Sequence, residues 1–231
     1  MIYEALGFKV PKFAHLPLIL DDERARLSKR AGAVAVTDYR RQGFLPEAIV
    51  NYLMLLGWSP GDNREMVNVS SAIKKFSIKK INKAGAAFSL DKLKWLNAQY
   101  IKQADVAKLT DLLIPFLREK NYIKEGVDRS KLEGIVKLFK GRMSTLAEFL
   151  EWADFIFVDE ISMTDEDRQK YLAQDRSKEF ELLAQRLKQL NPFDVGSVEK
   201  MFRDLVAELG LQPSDLVHPV RVALTGRSVG P

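Results

Sequence analysis

Apolar residues recur through most of this chain at spacings of three and four residues, the period of an amphipathic helix. One such helix is predicted to begin at Pro46, because the first helical turn leaves N–H groups unpaired and proline has none. Its predicted buried face consists of Ile49, Tyr52, Leu53 and Leu56. Residues 15–20 form a short apolar run that ends at two aspartates, which predicts a strand followed by a turn. The pattern as a whole predicts a mainly α-helical protein.

Further helices are predicted on both sides of this one. A short helix capped by Thr37 or Asp38 and closed by Gly43 precedes it, and helices over 68–76 and 91–101 follow it. Beyond residue 103, short polar turns separate the predicted helices 103–120, 128–140, 143–156, 164–174, 177–190 and 195–209. Such a succession is typical of helical bundles, and a boundary near residue 175 divides it into two of them.

Composition narrows the classes of function. The chain has 231 residues, enough for one large domain or two to three small ones. Because it contains no cysteine, disulfides, thiolate metal sites and cysteine nucleophiles are excluded. Its two histidines, His15 and His218, lie far apart without a zinc-binding spacing, so no metal site is predicted. No apolar run reaches the length of a membrane span, and the first residues lack the pattern of a secretory signal. We therefore expect a cytoplasmic protein without membrane contact.

A basic turn after the predicted strand is the main candidate for chemistry. Four cations surround a serine, and small residues follow: Arg24, Arg26, Ser28, Lys29, Arg30 and then residues 31–33. Cations on a turn with small neighbours suit a phosphate, because the backbone can approach closely and the charge is stabilised electrostatically. Composition alone leaves a solvated basic turn and a nuclear-localisation-like patch as open alternatives. The net charge of +5 is compatible with a polyanionic partner.

The place of this turn, between a strand and a helical region, favours the phosphate-binding interpretation. The stretch RLSKRAGA resembles the second signature loop of class I aminoacyl-tRNA synthetases, Lys-Met-Ser-Lys-Ser, in the form typical of glutamyl-tRNA synthetases. Three later segments are similar to segments of that family and occur in the family's order: VTDYRRQGFLPEAIVNYLMLLGWSP, FSLDKLKWLNAQYI and HPVRVALTGRSVGP. The resemblance covers essentially the whole chain.

The resemblance implies an enzyme that joins glutamate to its tRNA through a glutamyl-adenylate, using ATP and Mg²⁺. It assigns the ATP-binding loop to Arg26, Leu27, Ser28, Lys29 and Arg30, with Lys29 as the catalytic residue that stabilises the activation transition state. Arg26 replaces the family's usual first lysine, so a planar guanidinium group stands in place of a compact ammonium charge. The family's His-Ile-Gly-His-like motif does not occur in this sequence. We therefore expect a fragment without the nucleotide-binding half, which does not activate glutamate unaided.

The resemblance also implies a division of the chain. Residues 1–35 correspond to the end of the catalytic domain, a small α/β remnant that carries the signature loop, and residues 36–102 to a helical stem-contact region. Residues 103–175 and 176–231 correspond to two helical bundles of the anticodon-binding region, the second truncated before the family's last helical segment. The expected partner is tRNA, for glutamate and with glutamine left open, and the expected state is a monomer.

Further candidates for tRNA contacts are two arginines and a lysine cluster. By resemblance, Arg142 and Arg221 face anticodon bases, and arginine suits this role because its planar donors can read or stack on a splayed base. The alternative is a surface arginine in an ion pair, for which Glu148 is a candidate partner of Arg142. The lysine cluster is expected to contact tRNA backbone phosphates, and such contacts make the affinity salt-dependent. Its members are Lys74, Lys75, Lys79, Lys80 and Lys83. The alternative for the cluster is a solvated face.

Two other hypotheses stay open at the level of the sequence. One is a free-standing RNA-binding helical module without a catalytic role, and the other is a helical adaptor that binds protein. The Ser28-Lys29 pair favours an enzyme fragment, because a pure binding module has no need of it.

Overall fold

The computed structural model of the chain describes residues 1–27, 35–62 and 64–230. Within these residues the strands are β1 (Ile19–Leu20) and β2 (Ala86–Ala87). The α-helices are α1 (Ile2–Ala5), α2 (Val36–Arg41), α3 (Pro46–Gly57), α4 (Val69–Lys75), α5 (Leu90–Gln103), α6 (Val106–Glu119), α7 (Arg129–Phe139), α8 (Leu146–Trp152), α9 (Asp165–Leu172), α10 (Ser177–Gln189), α11 (Val195–Glu208) and α12 (Pro213–Thr225). Short 3-10 helices cover Ile78–Lys80 and Asp154–Ile156.

The prediction of a mainly helical protein with a small α/β part is confirmed. The predicted cap of α2 is wrong. The helix begins earlier, at Val36, and the Asp38 carboxylate accepts a hydrogen bond from the N–H of the preceding residue Ala35 at 2.9 Å. The apolar spacing also did not predict α12, which contains an internal proline, Pro219, a residue that normally interrupts a helix.

The buried face of α3 differs from the predicted one at Leu53, which is 48% exposed. The other three predicted positions are buried: Ile49, Tyr52 and Leu56. A polar residue, Asn51, is fully buried on the same helix. Its amide donates to the Glu65 carbonyl at 2.9 Å, and its oxygen accepts from the Val67 N–H and the Tyr100 hydroxyl, each at 2.8 Å. A buried amide is tolerated here because its polar atoms are paired.

The chain divides into two compact units. The first contains Met1–Leu113 and Lys140–Phe149, and the second contains Ile114–Phe139 and Leu150–Pro231. In the first unit, α3 packs against α5 and β2. Its main apolar cluster consists of Phe44, Ile49, Tyr52, Leu56, Leu93 and Leu96.

The turn before α8 belongs to the first unit because Asn97 ties it there. Asn97 is fully buried in α5, and its amide donates to the Ser144 carbonyl at 2.5 Å while its oxygen accepts from the Leu45 N–H at 2.8 Å. The Leu146 N–H donates to the Gly43 carbonyl at 3.0 Å. Gly43 has a φ of +80°, and a Cβ there would lie 2.6 Å from the Leu146 nitrogen, so this close approach requires glycine.

The α/β part of the first unit is a two-stranded parallel pair. Ile19 lies opposite Ala86 and Leu20 lies opposite Ala87. The Phe88 N–H extends the pairing by donating to the Leu20 carbonyl at 2.8 Å. The pair therefore joins the chain just before the basic turn to the chain just before α5.

The second unit contains the end of α6, α7 and the helices α9–α12. In it α12 packs against α9 and α11, and α10 packs against α11. Its apolar cluster consists of Leu183, Leu205, Val206 and Leu216. Gly226 ends α12 in the left-handed conformation, and a Cβ there would lie 2.1 Å from the Ser162 carbonyl oxygen. The next residue, Arg227, donates to the Asp154 carboxylate at 2.5 Å and to the Glu151 carbonyl. These contacts fix the segment that follows α12.

Candidate nucleic-acid interface

The structure describes two residues of the predicted ATP-binding loop, Arg26 and Leu27. The Leu27 N–H donates to the Ile19 carbonyl at 3.0 Å, and Arg26 forms an antiparallel bridge with Leu20. Arg24 has a φ of 63°, a left-handed conformation within the turn that brings the chain back along β1. The other loop residues lie outside the described residues: Ser28, Lys29 and Arg30.

The lysine cluster spans a short stretch of the first unit. Lys74 and Lys75 lie in the last turn of α4, Lys79 and Lys80 in the following 3-10 helix, and Lys83 in the bend before β2. All except Lys75 are exposed, and none of those four forms an ion pair with a described residue. These four therefore present positive charge to solvent.

Lys75 differs from the rest of the cluster because it is paired. Its Nζ lies 3.0 Å from Oδ2 of Asp62, which also binds Arg64 at 2.5 Å. Hydrogen bonds from Arg64 and from Lys75 hold the pKa of the Asp62 carboxyl well below its ordinary value, so the carboxylate stays ionised. A surface pair of this kind stabilises the fold little. The Asp62 carboxylate, which is shared with Arg64, does offset part of the Lys75 charge locally.

Arg142 lies exposed in the turn between α7 and α8. The turn has a rigid base, because the neighbouring Met143 is fully buried and Asn97 holds the Ser144 carbonyl. Oε2 of Glu148, the partner that the sequence suggested for Arg142, accepts from the Ser144 N–H at 2.6 Å. Arg142 is thus exposed on a turn whose backbone is held in place by its neighbours.

Arg221 lies half-buried on α12. It donates from Nη1 to the Ser228 carbonyl at 3.1 Å, and a Cβ at Gly230 would lie 3.1 Å from its Nε. The segment after α12 therefore braces the guanidinium. Arg221 also lines a cavity of about 820 Å³ whose walls include Phe193 and Phe202. Since a guanidinium has five N–H donors, the bond to Ser228 leaves donors available to a ligand.

The candidate residues are divided between the two units. Arg26, the lysine cluster and Arg142 belong to the first unit, and Arg221 belongs to the second. Sequence reasoning missed two positioning residues, Asn97 and Arg227, whose partners lie 47 and 73 residues away in the chain. No local pattern indicates such distant pairs.

Among residues 1–27, 35–62 and 64–230, no cluster of three or more His, Asp or Glu residues is suited to a metal ion. No helix in the described part of the chain combines the length and the apolar character needed to cross a membrane.

Comparison with known proteins gives two matches to family profiles. Residues 108–231, more than half of the chain, match the family described as "Anticodon binding domain". Residues 1–95 match the family described as "tRNA synthetases class I (E and Q), catalytic domain".

Curated relatives match over the whole chain. Glutamate–tRNA ligase 1 of Caldanaerobacter subterraneus subsp. tengcongensis is 40% identical over 232 residues, which are 100% of this chain and 48% of the relative. Glutamate–tRNA ligase of Geotalea uraniireducens is 42% identical over 234 residues, which are 49% of its length. The chain thus spans about half the length of the curated relatives it matches.

Solved structures show the same relation. A glutamate–tRNA ligase from Elizabethkingia meningosepticum, in complex with its amino acid, superposes with a TM-score of 0.84 at 30% identity. The enzyme from Elizabethkingia anophelis gives 0.82 at 31% identity. Each match covers 100% of this chain, and 49% and 48% of the respective structures.

Proposed function

Because the chain belongs to the glutamyl-tRNA synthetase family, we propose that it is the tRNA-recognition part of a glutamate–tRNA ligase, an enzyme that attaches glutamate to tRNA using ATP. The observation that carries the proposal is the match of residues 108–231 to an anticodon-binding family, over a stretch that is helical in the structure. The partner is the tRNA for glutamate. The protein works as a monomer in the cytoplasm.

In this proposal, different regions of the chain contact different parts of the tRNA. Residues 36–102 contact the stem of the tRNA, and the helical regions 103–175 and 176–231 contact the anticodon. The four exposed lysines of the cluster support the stem contact, because they form no ion pair with a described residue and so offer positive charge to backbone phosphates. The lysine of the cluster that we expect to contribute least is Lys75, whose ammonium group is paired with the Asp62 carboxylate.

Arg142 and Arg221 read anticodon bases in this proposal. The exposure of Arg142 on a rigid turn supports its role, because a base-reading side chain needs a fixed backbone and access to solvent. The cavity beside Arg221 supports the second role, because it offers space and aromatic walls next to a braced guanidinium.

Arg142→Ala tests base reading. In filter-binding titrations, we expect the affinity for glutamate tRNA to fall about tenfold, and the affinity for a tRNA altered at the contacted anticodon base to fall much less. Arg118→Ala, which removes another exposed arginine, should leave both affinities within about twofold. Equal losses with both tRNAs would reduce Arg142 to a phosphate contact.

The loop 26–30 places cations on the phosphates of ATP, and Lys29 stabilises the activation transition state, with ATP and Mg²⁺ belonging to the complete ligase. The resemblance of RLSKRAGA to the family's loop supports this assignment. The test uses a chimera in which this chain replaces the matching half of the Geotalea uraniireducens ligase. Lys29→Ala should lower ATP–pyrophosphate exchange by at least about a hundredfold while tRNA binding stays unchanged. A free-standing RNA-binding module would show no change in the exchange.

A further inference from the structure

An apolar cavity of about 290 Å³ in the first unit has no assigned role in the function proposed above. Its walls come from the extended segment 16–19, the last two turns of α3, and the side chains of Trp58, Phe76 and Ile81. All of these belong to one compact unit, so the cavity is a feature of the first unit alone.

The wall of this cavity contains an unsatisfied polar group. Trp58 is 3% exposed, and its indole N–H is buried without a hydrogen-bond partner among the described residues. Because this nitrogen has almost no accessible surface, Trp58 offers the cavity an aromatic wall rather than a donor. Phe76 lies beside it, with ring centroids 6.0 Å apart, and is 54% exposed. The cavity therefore combines apolar walls with an aromatic side chain that is half open to solvent.

Lysines directly precede two of the residues that line the cavity. Phe76 directly follows Lys74 and Lys75, and Ile81 directly follows Lys79 and Lys80. An occupant that fits both features carries anionic groups outside the cavity and a flat group with apolar faces inside it.

Two exposed apolar side chains next to the lysines favour a single-stranded over a double-stranded nucleic acid as the occupant. Ile73 is 73% exposed and Ile78 is 66% exposed, among the lysines of the cluster. A duplex backbone presents phosphates and sugars to such a surface and leaves its bases stacked inside. A single strand offers phosphates and unstacked bases together, and bases stack on aromatic side chains in proteins that bind single strands.

We propose that this cavity binds an unstacked base of a single-stranded RNA segment. Phe76 contacts the face of the base, Trp58 closes the wall of the cavity, and Lys79 and Lys80 contact the neighbouring phosphates. The inference rests on the proposed function and deepens it: the lysine cluster recognises unpaired nucleotides of the tRNA as well as its stem.

Fluorescence of Trp58 tests the proposal directly. The reporter protein is the full chain with Trp95→Phe and Trp152→Phe, which leaves Trp58 as its single tryptophan. It is titrated with a single-stranded RNA of about six nucleotides and with an RNA duplex of the same length, since such sites span a few nucleotides. We expect quenching by the single strand, no quenching by the duplex, and binding that weakens as salt increases.

Variants of Phe76 assign the contact. Phe76→Ser should weaken binding of the single strand about tenfold, while Phe76→Tyr, which keeps the ring, should retain it. The matched control is Val69→Ser, because Val69 is 50% exposed at the start of α4, the helix that ends just before Phe76, but does not line the cavity. Its binding should stay within about twofold of the parent. Far-UV circular dichroism confirms that each variant is folded.

Three results would overturn the inference. One is the absence of Trp58 quenching by the single strand. Another is unchanged binding by Phe76→Ser together with equal losses for duplex and single strand when Lys79 and Lys80 become glutamine, which would leave phosphate contacts alone. The third is RNA-independent self-association that Phe76→Ser abolishes, measured by sedimentation, which would assign the cavity to a protein partner.

The outcome is distinguishable from failure of the proposed function. If the oligonucleotide does not bind but anticodon-dependent tRNA binding through Arg142 persists, only the cavity assignment fails. If the oligonucleotide binds as expected but tRNA binding does not depend on the anticodon, the proposed function fails and the cavity assignment stands.

Discussion

Two buried asparagines organise the first unit at the scale of single residues. Asn51 joins α3 to the segment 65–67 and to Tyr100, and Asn97 joins α5 to the turn that carries Arg142. Each side chain is fully buried and uses both its donor and its acceptor. Polar groups paired in this way specify one arrangement, because a displaced loop would leave the amide unpaired.

Asn97→Ala should destabilise the fold by about 3 kcal/mol, because it leaves the Leu45 N–H and the Ser144 carbonyl without their partner and opens a void. The free energy of unfolding in urea measures this loss. Asn82→Ala is the matched control, since that asparagine is exposed, and should change the free energy by less than about 0.5 kcal/mol. Similar losses for the two variants would refute the role of Asn97.

At the scale of elements, the ends of helices depend on short polar contacts that the apolar period does not show. Asp194 caps α11, and its carboxylate accepts from the Ser197 N–H at 2.8 Å. That backbone hydrogen bond, helped by the Ser197 hydroxyl, lowers the pKa of the Asp194 carboxyl below its ordinary value. The cap therefore stabilises the helix in its ionised form.

The lowered pKa fixes the sign of a pH dependence. Asp194→Ala should lower Tm at neutral pH, and the difference from the parent should persist down to the ordinary carboxyl pKa of about 3.9. Below that pH the difference should shrink as the parent carboxylate becomes protonated in the folded state. Circular dichroism melts between about pH 7 and pH 3 measure it. Asp194→Asn keeps an acceptor that does not titrate, so it should remain more stable than Asp194→Ala at neutral pH.

Helix positions were largely predictable, and helix ends and interruptions were not. The segments predicted over 68–76, 128–140 and 195–209 contain α4, α7 and α11. The prediction over 143–156 was too long, because the chain leaves α8 after Trp152 and enters a 3-10 helix. These boundaries depend on caps and tertiary contacts rather than on the apolar repeat.

At the scale of the whole molecule, the contribution of a lysine to tRNA binding depends on whether it is already ion-paired, and not only on the total number of lysines. Any lysine removed lowers the net charge of +5 by the same amount. Counterion release, however, depends on the charges that contact phosphates. Lys75 is held by Asp62, whereas Lys79 has no ion pair among the described residues.

Lys79→Ala and Lys75→Ala form a matched pair with the same change in net charge. We expect Lys79→Ala to reduce the slope of log affinity for tRNA against log salt by about one, because one phosphate contact is lost. Lys75→Ala should change the slope less, since its ammonium group is already paired with the Asp62 carboxylate. Titrations at several salt concentrations give both slopes, and equal changes would show that the ion pair with Asp62 does not persist in the complex.

The sequence by itself determined the mainly helical class, the order of the helices and the family of this chain. These properties are carried by local periods and by contiguous motifs, so they can be read without knowing which residues meet. Only the tertiary structure decided that Lys75 is paired and that Arg142 is exposed on a rigid turn. It also decided that Arg221 is hydrogen-bonded to the Ser228 carbonyl and that Leu53 lies outside the buried face of α3. The physical reason is that each depends on contacts beyond the local repeat, between side chains or backbone groups whose separation along the chain no helical period encodes.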